Sequence, residues 1–211
     1  MIETNNNTVY FLDGKMYINV TNLCTNKCIF CIRSLKDDVQ GANLWLENQS
    51  ACADEIISQI KEKQNEIGDE IVFCGYGEPL IELETVKTVA KFIKENYKNV
   101  AVRVNTNGHA NLIHKRNVIP ELTGLIDKIS VSLNSDNAEQ YKELTKCSYE
   151  AELAYNAVKE FIKLSKEAGI KTNASVVVGY KDVVINVENC LNVAKNLGVE
   201  LRVRKWLDEG Y

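Results

Sequence analysis

Apolar and polar positions alternate along this chain with two periods. Six short stretches, 16–21, 70–74, 100–105, 128–134, 171–178 and 200–206, carry the two-residue alternation or short apolar run of a strand. Between them the period lengthens to that of a helix. Val86, Val89, Ala90 and Ile93 share one helical face. So do Ala154, Val158, Phe161 and Ile162, and then Val187, Cys190, Leu191, Ala194 and Leu197. Gly169 and Gly198 stand where the last two helices must stop. Near the start, 9–12 and 16–20 flank Asp13-Gly14, a dipeptide suited to a hairpin turn.

Strand–helix alternation with short connections builds right-handed units on a parallel sheet. Six such units fall short of the eight that close a barrel over about 250 residues. The expected fold is α/β, an open partial (β/α)6 TIM-like barrel with a short N-terminal β-hairpin. The expected organisation is a single core domain over 1–211, with 1–15 as the hairpin extension and 16–206 as the partial barrel.

Helices cover the outside of such an arc, so the apolar face of each strand points outward and the alternate residues line the lumen. Val102 and Val104 then point out, with Arg103 and Asn105 in. Ile129, Val131 and Leu133 point out, with Ser130, Ser132 and Asn134 in. Leu201 and Val203 point out, with Arg202, Arg204 and Trp206 in, while Asn173 and Ser175 share a face of the fifth strand. A closed barrel fills its lumen with branched apolar side chains. Here the inward set is polar, and buried polar groups are costly unless partnered. The pattern predicts a solvated cavity for a polar ligand, against the alternative of core polar groups that satisfy one another. Arg103, Arg202 and Arg204 suit bidentate binding of carboxylate or phosphate and predict a small anionic substrate. The alternative is pairing with loop acids such as Asp208 and Glu209.

Lys and Arg total 25 against 29 Asp and Glu, a net charge of −4. Non-specific nucleic-acid binding needs a basic surface, so that class is disfavoured. No apolar run approaches the roughly 20 residues of a membrane helix. The polar stretch 1–8 lacks the pattern of a signal peptide. The expected location is cytoplasmic, where structural disulfides are rare. Seven cysteines, three of them within eight residues, therefore point to a metal or to catalysis.

Those three form Cys24-Thr-Asn-Lys-Cys28-Ile-Phe-Cys31, just past the first strand of the arc. Three thiolates on one tight loop hold three corners of an iron–sulfur cluster and leave one iron open. Structural zinc is the competing reading. It needs a fourth ligand, for which Cys74 and His109 are the distant candidates. A second motif, Phe73-Cys-Gly-Tyr-Gly77-Glu78-Pro79-Leu80, closes the second strand. Gly75 and Gly77 permit close approach of a ligand to the backbone. Glu78 puts an anion at the C-terminal edge of the arc, the functional face of such folds.

The three-cysteine loop with Phe30 before its last cysteine, the Gly77-Glu78-Pro79 motif and Asn105-Thr-Asn107-Gly108 together resemble the radical S-adenosylmethionine (SAM) superfamily. Tyr76 departs from the adjacent glycines usual there. Finer blocks, Asn43-Leu-Trp45-Leu, 72–80 and 102–108, resemble the TatD-associated (TatD-linked) radical SAM proteins, which occur beside or fused to a TatD-type nuclease. The resemblance implies a [4Fe–4S] cluster on Cys24, Cys28 and Cys31, with SAM bound at the open iron. Its reductive cleavage yields methionine and a 5′-deoxyadenosyl radical, which takes a hydrogen atom from the substrate. The resemblance also implies Phe30 at the adenine and Gly77 and Glu78, followed by Pro79, at the SAM ammonium. It puts Ser132 and Asn134 at the ribose and SAM carboxylate, with Asn105 as a further contact. A flavodoxin- or ferredoxin-type electron donor and a TatD-type nuclease are the implied partners. The rival readings are an activase that installs a glycyl radical on a partner enzyme and a non-catalytic metal-binding module.

Cys147 falls in a strand-to-helix loop expected on the functional face, where its thiol would pass a hydrogen atom to a product radical; an ordinary loop cysteine is the alternative. Cys190 lies on an apolar helical stripe, and Cys52 is taken as packed in the same way, with Cys74 as structural. His109 and His114, five residues apart, share no helix face and lack the zinc-protease pattern, which predicts surface positions for both.

Overall fold

In the computed structural model of the chain, residues 6–39 and 41–206 are described. Strands β1 (Val9–Leu12) and β2 (Lys15–Ile18) form the expected hairpin, with Val9 opposite Ile18. Asp13 and Gly14 both take positive φ, 51° and 71°, the turn that matches the twist of two antiparallel strands. A small ribbon that the sequence pattern did not predict follows, β3 (Asp38–Val39) with β4 (Ala42–Asn43). Then come β5 (Glu70–Phe73), β6 (Ala101–Thr106), β7 (Lys128–Ser132), β8 (Lys171–Val178) and β9 (Glu200–Lys205).

The main sheet has seven strands in the order β1-β2-β5-β6-β7-β8-β9, parallel from β2 onward. β1 and β9 are its two edges, so the barrel is not closed. The helices are α1 (Ala53–Glu62), α2 (Leu83–Asn96), α3 (Ala110–His114), α4 (Ile119–Leu122), α5 (Ala138–Thr145), α6 (Ala151–Glu167) and α7 (Val187–Asn196). The α/β partial barrel with its N-terminal hairpin is therefore the fold.

The alternation in the strands sets which face is covered. Val102, Val104, Ile129, Val131, Ala174 and Val176 are fully buried, most of them in one core with Ile56, Ile60, Val86, Ile93, Val158 and Phe161 from the helices. Val203, assigned to the same outward face, is 47% exposed because β9 is the last strand. On the opposite face Tyr10, Leu12, Val39, Leu44 and Tyr76 form a second, smaller apolar cluster. The hairpin and the ribbon thus roof part of the lumen, which a purely polar lumen did not anticipate. Among the described residues, no helix is long and apolar enough to cross a membrane.

Candidate active site

The C-terminal ends of β2, β5 and β6 are bonded to one another, and the three-cysteine loop hangs from that junction. Gly77 shows why. A Cβ there would lie 2.1 Å from Thr21 O and 2.6 Å from Leu23 O, so the chain's own backbone fills the space expected for a ligand. Gly75 is equally close to Asn19, whose Oδ1 would be 1.9 Å from an added Cβ. Glu78 N donates to Leu23 O at 2.7 Å and Cys74 N to Ile18 O at 2.9 Å. The two motifs, far apart in sequence, are laced together by backbone.

Glu78 extends the junction to β6. Its carboxylate accepts from Thr106 Oγ1 at 2.7 Å, Asn107 N at 2.6 Å and Leu80 N at 3.1 Å. The group is 3% exposed, and burial pushes its pKa up to about 7 although these bonds oppose the rise. The carboxylate expected at a SAM ammonium thus also accepts three bonds from its own chain. Pro79 begins a 3-10 turn (Pro79–Glu82) that Glu78 caps.

The cysteine loop is pinned on its other side by α5 and the turn after it. Lys27 N donates to Thr145 O, Ile29 N to Leu144 O and Ser148 N to Thr25 O, all at 2.8–2.9 Å. Arg33 donates to the carbonyls of Asn22, Asn26 and Tyr76 at 3.0–3.1 Å, which gathers the loop around one guanidinium. The Asn43-Leu-Trp45-Leu block joins the same junction, since Asn22 pairs with Leu46 and Trp45 packs against Tyr76 at 5.1 Å.

Cys24, Cys28 and Cys31 are half-buried and free. Burial pushes the Cys24 thiol up to about 11, with Glu78 adding to the rise, while Arg33 opposes it. Burial raises Cys28 and Cys31 too, and the charges of neighbouring thiols add to the rise: Cys31 and Cys24 for Cys28, Cys74 for Cys31. Among the described residues, no three His, Cys, Asp or Glu side chains converge on a single ion. A cubane cluster asks for something else, one thiolate on each of three irons. The donor set fits that group: three sulfurs on one tethered loop, a guanidinium beside them, and two N–H donors on Cys24 Sγ, from Asn26 N at 3.4 Å and Asn107 Nδ2 at 3.7 Å.

A cavity of about 120 Å³ lies on the lumen face beside this loop. Its floor includes Arg103, Asn105, Ser130, Arg202 and Arg204, so the arginines picked out by alternation share one cavity. Arg103 is not free, however. It donates to Glu70 Oε2 at 3.2 Å and to Asn105 Oδ1 at 2.8 Å. Lys15 and Lys128 also donate to Glu70, at 3.0 and 2.8 Å. Burial pushes the Glu70 carboxyl up, but the bonds from Lys128 and Lys15 and the charge of Arg103 outweigh it and hold it at about 2. Of the three lumen arginines, Arg103 is thus the one paired with Glu70. Asp208 and Glu209, the loop acids considered as partners, lie outside the described residues.

Phe30 packs edge-on to Tyr180 at 6.4 Å, and its carbonyl accepts from Trp206 Nε1 at 3.2 Å. Ser132 closes β7, and Asn134 beyond it takes φ 60° and donates from its backbone to Ser175 O. Neither lines the cavity, nor does Phe30.

Several expectations are corrected. Cys147 is 3% exposed within the main core, and its thiol donates to Tyr149 O at 3.5 Å. It packs under the loop and does not open onto the cavity. Cys52 is exposed at the start of α1, whereas Cys74, taken as structural, lines the cavity. Cys190 is buried as expected. His109 is 0% exposed, and both ring nitrogens are engaged, by Thr25 Oγ1 and Tyr141 Oη at 3.0 Å each, so it is neither a surface residue nor an available metal ligand. His114 bonds through Nε2 to Leu80 O at 2.8 Å. The only sequence signal for His109 was its place just after Asn107-Gly108.

An open α/β barrel with three cysteines on the loop after its first parallel strand defines a cluster-bearing class of protein. The chain belongs to the radical SAM superfamily, whose family model matches residues 18–197. Members of that family use a [4Fe–4S] cluster and SAM. The chain is 29% identical over 182 residues to an uncharacterized protein of Methanocaldococcus jannaschii, covering 85% of this chain and 52% of that one. It is 30% identical over 199 residues to the GTP 3′,8-cyclase of Aquifex aeolicus, covering 92% of this chain and 56% of that one. The structure of Streptococcus suis SuiB bound to S-adenosylmethionine superposes with a TM-score of 0.64 at 17% identity, over 89% of this chain and 39% of that one. The chain thus spans about half the length of the curated relatives it matches.

Proposed function

We propose that this protein is a radical SAM enzyme in which Cys24, Cys28 and Cys31 hold one [4Fe–4S] cluster. When bound, the cluster supplies an electron and an open iron for reductive cleavage of SAM to a 5′-deoxyadenosyl radical. The observation that carries the reading is the pinned cysteine loop: three thiols tied to α5, to the Gly75–Gly77 turn and to Arg33, beside a polar cavity. Phe30, Asn105, Ser132 and Asn134 serve the adenosyl and carboxylate parts of SAM. Gly77, Glu78 and Pro79 serve the SAM ammonium and hold the loop in place, Glu78 through its carboxylate bonds to Thr106 and Asn107.

The substrate in this reading is a small anion. Arg202 and Arg204 line the cavity, and Arg103 anchors its floor through Glu70. The relative from Aquifex aeolicus is named for GTP, a phosphorylated substrate, which accords with that class. The finer sequence blocks resemble the TatD-associated group, and in this reading residues 1–211 form one core domain that works in the cytoplasm. It would work with a flavodoxin- or ferredoxin-type donor and a TatD-type nuclease partner.

The test is anaerobic turnover of the cluster-loaded protein with dithionite and SAM. Wild type should release 5′-deoxyadenosine, and Cys24→Ala, Cys28→Ala and Cys31→Ala should each lose cluster iron and product together. Full cluster in the triple variant contradicts the assignment.

A further inference from the structure

We propose that Asn107, Thr25, His109, Tyr141 and Asn26 form a closed hydrogen-bond ring that fixes two N–H···S bonds on Cys24 and so raises the reduction potential of the cluster it holds, with Asn107 as the positioning residue. The inference rests on the cluster assignment above. It concerns a property of this chain's own residues that the resemblance does not supply.

The ring is ordered by what each group must donate or accept. Asn107 Oδ1 accepts from His109 N at 2.9 Å, so its Nδ2 faces the cysteine loop. There Nδ2 donates to Thr25 Oγ1 at 2.9 Å and to Cys24 Sγ at 3.7 Å. With His109 assigned the Nε2–H tautomer, Thr25 Oγ1 gives its own proton to His109 Nδ1 at 3.0 Å. His109 then carries its hydrogen on Nε2 and donates to Tyr141 Oη, also at 3.0 Å. This is the neutral ring, in keeping with complete burial, which pushes its pKa down to about 4. Tyr141 is likewise fully buried and keeps its hydroxyl proton. The Asn26 side chain lies at that hydroxyl, and Asn26 Oδ1 is buried with no donor. In the proposal the Asn26 amide is turned so that Tyr141 Oη donates to this oxygen, which closes the ring. Asn26 N returns the ring to its origin by donating to Cys24 Sγ at 3.4 Å.

The energetic consequence follows from the sulfur. A ligating thiolate gains negative charge when its cluster is reduced, and N–H donors aimed at it stabilise the reduced form. A loose amide would rotate away or turn its oxygen to the sulfur. Thr25 and the His109 backbone prevent both, and the tautomer of His109 holds Thr25. Tyr141 packs edge-on to His109 at 6.0 Å, and Tyr149 packs on it at 5.4 Å, so the imidazole has no room to turn.

The experiment is an equilibrium redox titration of the cluster-loaded protein without SAM, followed by the paramagnetic signal of the reduced cluster. Asn107→Ala removes the side-chain donor. It should lower the reduced-to-oxidised ratio at the wild-type midpoint about tenfold, which is about 59 mV for one electron. Tyr141→Phe removes only the hydroxyl at the far side of the ring, and with it the contacts to His109 and Asn26, and should shift the ratio in the same direction by about threefold. Asn107→Gln, which keeps an amide, should recover part of the loss. Cluster-loaded variants with wild-type iron content and unchanged midpoints overturn the ring. If Asn107→Ala fails to hold a cluster, Tyr141→Phe decides alone, and an unchanged midpoint there overturns it. Wild-type protein that takes up no four-iron cluster overturns the proposed function itself, a different result from either.

Discussion

Glu70 is held by cations on every side that the sheet presents to it. Three cations from three strands converge on its nearly buried carboxylate, Lys15, Arg103 and Lys128. Its folded pKa, about 2, lies below the ordinary 4.5. A carboxyl depressed on folding contributes stability that is present above the ordinary value and is lost as pH falls through the folded one. The window is therefore pH 4.5 down to about 2, and the contribution is up to about 3 kcal/mol. Urea unfolding across that range should show wild type losing this increment, with Glu70→Gln less stable at neutral pH and flatter in acid. Sequence alone did not reveal Glu70, because an acid opening a strand candidate resembles a boundary residue. Its partners become neighbours only through register: Arg103 lies opposite Lys128, and Glu70 opposite Ala101, two residues before Arg103. Burial of His109 was hidden in the same way. It arises where β6, the cysteine loop and α5 meet, and no local periodicity encodes that meeting.

At the scale of elements, the alternation in β6 and β7 was enough to divide apolar from polar faces, and the structure keeps that division. The hairpin turn and the helix stops were equally legible, since glycine with positive φ punctuates each. What the pattern missed were the short pieces, β3–β4 and the turns α3 and α4, which are too brief to show a period. Nor did it show the close packing of the glycines after β5: Gly75 lies against the Asn19 side chain, and Gly77 serves a backbone-to-backbone junction with the segment leading into the cysteines. Gly77→Ala tests this. Its Cβ would meet two carbonyl oxygens that belong to backbone and cannot swing aside. The expected cost is about 3 kcal/mol in unfolding free energy, with iron content per chain falling in parallel. A variant that folds and loads iron like wild type would contradict the junction.

For the whole molecule, the open arc leaves the cysteine loop at one end of a cavity whose far wall is cationic. The family model matches 18–197, so the cluster loop, the β5 turn and the lumen strands through β8 all belong to the matched region, with Arg202 and Arg204 just beyond it. The central claim is that three thiolates, not four, hold the cluster, so that one iron accepts SAM. The most direct measurement is the paramagnetic spectrum of the dithionite-reduced cluster before and after SAM is added, on protein with four irons per chain. Adding SAM should change the spectrum, and adenosine in its place should not. An identical spectrum with and without SAM, in protein carrying a full cluster, would contradict that claim.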